Sequence, residues 1–93
     1  MIRSFRDAET ELLFRGREVR RMPPEIRRPA QRALRAVHQA RNLNDLALLP
    51  GNRLERLRGD REGQHSVRIN QQWRVCFRWE GGDAFEVEVV DYH

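Results

Sequence analysis

Lysine is absent from the sequence, and all 18 basic residues are arginine. Genome composition alone produces such a bias, yet the planar guanidinium fork suits phosphate better than a point charge does. With a net charge of +4 and a pI near 10.8, the chain favours a polyanion or an acidic partner. Cysteine is nearly absent too. The single Cys76 excludes an internal disulfide and fits a reducing compartment. Only His38, His65 and His93 stand beside it, and no zinc-type ligand spacing exists, so no metal or other cofactor is expected. No apolar run approaches the roughly 20 residues of a membrane span, and the opening Met1-Ile2-Arg3-Ser4-Phe5-Arg6 lacks a signal-peptide core. The expected location is the cytoplasm.

What is present reads as one domain over residues 1–93, 39% hydrophobic and 34% charged. Ile2 to Phe5 suggests a short strand, and Asp7 an N-cap for a helix over Ala8 to Phe14 with Leu12 and Leu13 as its apolar contacts. Ile26, Ala30, Ala33, Leu34 and Val37 recur at helical spacing. Pro29 would cost about 3 kcal/mol inside a helix, so the regular helix is expected to begin nearer Pro29 than Pro24 and to run to about Ala40. Asn44 to Asn52 reads as a connector with a short apolar anchor and a Pro-Gly turn.

Everything afterwards has strand character. Leu54 and Leu57 stand among charges, Gly59 to Gly63 is turn chemistry, and Gln64 to Asn70 alternates through His65, Val67 and Ile69. Trp73, Val75, Phe77 and Trp79 share one parity, with Arg74, Cys76 and Arg78 opposite; Phe85, Val87 and Val89 line the closing strand, leaving Glu86 and Glu88 toward water. The expectation is an α+β domain in which two N-terminal helices pack on one face of a small antiparallel sheet. The other face is left open and lined by Arg68, Arg74 and Arg78, a nucleic-acid surface candidate.

Arg53, Arg56, Arg58 and Arg61 could join Arg68 and Arg74 in one phosphate-binding patch, or could be a solvated charged edge that keeps the sheet from aggregating. His65 reads as a satisfied half-buried histidine, Cys76 as a small strand residue, and the tryptophans as core. The closing Asp91-Tyr92-His93 is different, because packing gives no reason for histidine there, and its ordinary pKa near 6.5 suits proton exchange at neutral pH. The residues alone do not decide between a bland and a functional terminus.

Leu54 to Asn70, then Gln72-Trp73-Arg74-Val75-Cys76-Phe77 and Asp91-Tyr92-His93, resemble the HigB toxins of the RelE/ParE superfamily. The opening Ile2-Arg3-Ser4-Phe5 and the Leu-Pro-Gly-Asn connector match as well. The resemblance implies the RelE-like fold and a type II toxin that enters the ribosomal A site and cleaves mRNA. It also implies a cognate antitoxin, usually a helix-turn-helix protein, through which operator DNA is met only indirectly. Carried over by position, the family's catalytic end falls on Asp91, Tyr92 and His93, and its basic phosphate contacts on Arg58 and Arg74, with Arg68 as a frequent strand arginine. Some members have a catalytic histidine where this chain has Glu55, which makes Glu55 a possible base. Two other classes share parts of the pattern: a ParE-like gyrase poison, which keeps the fold without a ribonuclease site, and a non-catalytic RNA-binding module, which needs the arginine face alone. If the closing strand stays regular, Val90 and Tyr92 share the Arg74 face and Asp91 and His93 would point to the core side; Asp91 and His93 are therefore expected past the end of the sheet, with the terminus bent toward the arginine cluster.

Overall fold

A computed structural model describes residues 1–49 and 51–92; Pro50 and His93 lie outside the described residues. Three helices, α1 (Ala8–Phe14), α2 (Pro24–Gln39) and α3 (Leu43–Ala47), precede four strands. These are β1 (Glu55–Arg56), β2 (Gln64–Arg68), β3 (Trp73–Glu80) and β4 (Asp83–Asp91), paired antiparallel in chain order, with a 3₁₀ turn at Gly59–Arg61 between β1 and β2. The α+β class holds, with three helices instead of two.

α1 starts where expected, since the Asp7 carboxylate accepts from the Thr10 amide at 2.6 Å. Only Leu13 of its leucine pair is buried, while Leu12 is exposed. α2 begins at Pro24 and passes through Pro29, against the expectation of a later start. Prolines at 23 and 24 preset the first turn, where amides have no helical partner. The amide missing at Pro29 deprives only the carbonyl of Glu25, an exposed residue, while Ile26 and Ala30 on the same turns are buried. α3 was read as connector. It is held by a capping box in which the Asn42 side chain accepts from the Asp45 amide and Asp45 accepts back from Asn42.

The core lies between α1 and α2 and the odd-numbered face of β2 and β3, with Leu13, Ile26, Leu34, Val37, Val67, Val75 and Phe77 fully or almost fully buried. In β4 the alternation breaks. Cys76 pairs with Glu88 but Arg78 pairs with Phe85, so Glu86 and Val87 together oppose Phe77. Glu86 sits at φ +53° to make this bulge. One extra residue inverts the strand's parity. Val87 and Val89 therefore face the core as expected, but Ala84 takes the next core position and Phe85 crosses to the other face, half-buried opposite Arg78.

The outer edge of β4 is covered along its length. Ile2 and Phe5 form isolated parallel bridges to Ala84 and Val87, the Ser4 hydroxyl accepts from the Glu86 amide, and His38 Nδ1 accepts from the Ile2 amide at 3.0 Å. Beyond them Thr10, fully buried, accepts from the Val89 amide through Oγ1 at 3.0 Å. A Thr10→Val variant keeps the shape and leaves that amide without a partner, so unfolding free energy should fall by about 1–3 kcal/mol in urea titration. An unchanged midpoint would show that the edge is held by the strand bridges alone. At the opposite edge β1 is two residues long and carries Glu55 and Arg56, a short charged border of the kind that discourages pairing between molecules.

Candidate functional site

The face of the sheet away from the helices centres on Arg74. Its register partners are Arg68 on β2 and Val90 on β4, as strand parity predicts. The side chain is only 12% exposed and is fixed at several points. Nε donates to Ser66 Oγ at 2.6 Å, one terminal nitrogen donates to the Arg53 carbonyl at 2.6 Å, and the other lies 3.9 Å from the Glu55 carboxylate. Arg53 turns its carbonyl inward at φ +43°, a conformation uncommon for a residue with a side chain. Ser66 was missed in the sequence reading, although it shares parity with Arg68 and so was bound to face the same side.

Arg61 reaches over this face from the 3₁₀ turn, donating to Gln64 Oε1 at 3.1 Å and to Glu88 at 2.7 Å. Glu88 also lies 3.7 Å from Arg6 and is 14% exposed, so it does not face water as the alternation suggested. The Glu88 hydrogen bond raises the Arg61 pKa above its ordinary value. Beneath this layer burial pushes the Cys76 thiol up to about 11, which makes it an inert strand residue and no nucleophile.

The expected single patch divides in two. Glu55 pairs with Ser66 and shares the Arg74 face, whereas Arg56 pairs with His65 and points to the opposite face. Arg58 stands at the corner where β1 leads into the 3₁₀ turn, and it lines a cleft on the far side with Arg56 and His65. Arg53, Arg56, Arg58 and Arg68 have no ion-pair partner among the described residues, unlike Arg61 and Arg74.

The closing residues stay in the ladder longer than expected. Asp91 is the last residue of β4, in register with Trp73, and the Tyr92 amide donates to the Gln72 carbonyl at 2.6 Å. Gln72 Nε2 in turn donates to the Asp91 carboxylate at 3.1 Å. Asp91 is therefore not bent toward the arginines; the β2–β3 turn holds it, and sequence reasoning missed Gln72 as the clamp. Tyr92 is exposed and follows Val90 in parity, on the Arg74 side, while His93 lies outside the described residues.

His65 is half-buried and stacks on Phe77 with centroids 6.2 Å apart, but its buried Nδ1 has no hydrogen-bond partner among the described residues. It is not the satisfied histidine expected. Burial, then the neighbouring Arg56 charge, lowers its pKa. Its folded value thus lies below the unfolded one, so the neutral form supports the fold above pH ~6.5 and that support is lost as pH falls through the folded value. Thermal scans from pH 7.5 to 5.5 should show a loss of stability that shrinks in a His65→Phe variant. Identical slopes in both would remove His65 as the cause of the loss.

The sequence matches, over residues 3–93, the family described as RelE-like toxin of type II toxin-antitoxin system HigB. The chain belongs to the HigB-like toxins. This HigB-like toxin is 34% identical over 85 residues to Toxin HigB-1 of Vibrio cholerae, covering 90% of each chain. It is 32% identical over 97 residues to a Proteus vulgaris protein named Endoribonuclease HigB, covering 100% of both. Its fold is that of RelE-like toxins: the YoeB-YefM complex from Staphylococcus aureus superposes with a TM-score of 0.61 at 14% identity, over 100% of this chain and 98% of that one. Among the described residues no helix is long and apolar enough to cross a membrane.

Proposed function

We propose that this HigB-like toxin is an endoribonuclease that enters the ribosomal A site and cleaves mRNA through attack of a ribose 2′-hydroxyl on the adjacent phosphate. The observation that carries the reading is Arg74, a guanidinium anchored by Ser66 and Arg53 on the sheet face away from the helices, with one terminal nitrogen 3.9 Å from a carboxylate. The full-length relative named as an endoribonuclease supports it.

Such a reaction needs cations for the charge that builds on phosphate, a base for the hydroxyl and an acid for the leaving 5′-oxygen. Arginine remains protonated and cannot be the base. Arg74 serves as the cation, preorganised in the way that makes fixed donors effective, while Arg58, across the sheet edge, holds a neighbouring phosphate. Glu55, 3.9 Å from Arg74, takes the hydroxyl proton from a ribose bound beside it. His93 transfers a proton to the leaving group, Asp91, clamped by Gln72, orients that end, and Tyr92 positions the substrate. Arg53, Arg61 and Arg68 hold flanking phosphates, Arg61 only by exchanging its bond to Glu88. The cognate antitoxin, a helix-turn-helix protein, keeps the toxin inactive.

Proton transfer by one side chain is worth on the order of 10²-fold or more, and the ribosome supplies much of the remainder by holding the mRNA in register. Primer extension on cellular mRNA after induction should therefore show cuts within codons, free RNA should be cut weakly or not at all, and His93→Gln should slow cleavage about 10²-fold. Growth arrest with DNA breaks and intact mRNA would replace this reading with gyrase poisoning. Arrest unaffected by His93→Gln would favour simple RNA binding.

A further inference from the structure

A second cleft lies on the other side of the short edge strand, facing away from Arg74. It is about 610 Å³ and is lined by Arg56, Leu57, Arg58, Gly59, Glu62, Gly63 and His65. The volume is in the range of small-ligand sites, ~300–1,000 Å³. Its chemistry is mixed in a particular way. Arg56 and Arg58 carry charges with no ion-pair partner among the described residues. The wall beside them is an imidazole ring already stacked on Phe77, with a buried nitrogen left without a hydrogen bond. Glu62 adds an acceptor at the rim. A bare anion would use the arginines and leave the ring idle; an apolar ligand would strand the charges. A nucleotide uses both, with phosphate on the guanidiniums, base against the ring, and the carboxylate to accept from an exocyclic amine.

We infer that this cleft holds a nucleotide of the bound RNA that flanks the cleaved linkage, its phosphate on Arg56 and Arg58 and its base against His65. The inference rests on the RNA-cleaving reading above. Glu55 and Arg56 are consecutive residues on opposite faces of a strand of only two residues, with Arg58 at its corner. A strand of RNA that crosses Arg74 and Glu55 thus has a short, basic path around the sheet edge. His65 and Arg56 become positioning and specificity residues that touch no reacting atom.

The test uses an oligoribonucleotide with 2′-O-methyl groups, which lacks the attacking hydroxyl, and follows the His65 imidazole signals by NMR as it is added. Those signals should move on binding, with His38 as the internal control. Arg56→Gln and His65→Ala should each weaken the oligonucleotide about tenfold, the scale of one base–aromatic stack, and His65→Phe should restore most of the His65→Ala loss. Inorganic phosphate alone should leave His65 still. If the oligonucleotide binds in an Arg74-dependent manner while His65 stays silent and both variants bind like the parent, the cleft is empty and this inference is overturned by itself. If phosphate moves His65 as much as the oligonucleotide does, the cleft is an anion site and the nucleotide assignment is wrong. If the parent protein binds no oligonucleotide, either free or held in a ribosomal A site, the RNA-cleaving reading fails and the cleft assignment falls with it.

Discussion

Arg74→Gln is expected to lower cleavage of ribosome-bound mRNA by about 10²- to 10³-fold, the cost of removing one fixed donor from a developing oxyanion, and so to relieve growth arrest on induction. The side chain is nearly buried, and its anchors on Ser66 and Arg53 hold the guanidinium in place before any substrate arrives. Arg74→Lys should recover little of the activity. A lysine presents one point charge on a flexible stem, and it cannot bond Ser66 and the Arg53 carbonyl while still turning a donor toward phosphate. Because the glutamine also leaves the buried Ser66 hydroxyl short of a donor, unfolding should be measured in parallel. A loss of about 1–3 kcal/mol would leave the protein folded at growth temperature, and the activity loss would then belong to chemistry. Undiminished arrest by Arg74→Gln would remove Arg74 from the mechanism.

Phe77→Ala carries the largest expected cost to the fold. The ring is fully buried, stacks on His65 and meets Trp79 edge-on with centroids 6.2 Å apart. It is also the residue opposite the β4 bulge, so no neighbouring strand position can slide in to fill its space. Truncation of a buried phenylalanine costs about 3–5 kcal/mol, set against a total of about 5–15 kcal/mol for a domain of ordinary stability. Urea unfolding should show a midpoint cut by about a fifth or more. A shift of well under 1 kcal/mol would mean that the strand closes around the gap and that the bulge is less fixed than its geometry implies.

The residues announced most of the fold because local chemistry and long-range packing agree in most places. Asp7 caps α1, the alternation from Trp73 to Trp79 sorts the faces of β3, and glycine marks the turns. The misses have physical causes. Nothing in a Phe-Glu-Val-Glu run signals a residue at φ +53°, since glutamate has no special tolerance for that region; the bulge is fixed by partners on both sides of β4. Pro29 tells of a lost hydrogen bond but not of where the freed carbonyl lies. Asn42 and Asp45 form a capping box with asparagine and aspartate in place of the commoner serine and glutamate. The candidate site could be named residue by residue from the sequence, but its arrangement as a surface could not. The two residues of β1 are too few to show their parity, so only pairing with β2 reveals that Arg56 turns from the face that Glu55 shares with Arg74.

The covered edge of β4 also bears on how the molecule forms. Ser4 and Glu86, which touch through a hydrogen bond, are 82 residues apart in the chain. The segment around Ser4 therefore waits for one made 82 residues later before it finds its place, and closing so long a loop precedes the gain from the contacts it makes. Until β4 is laid down, Val90 is not beside Arg74, the Thr10 hydroxyl has no amide to receive, and the inner face of β3 is only partly roofed. A nascent chain of this toxin thus completes its arginine face late, as one of the closing events of folding.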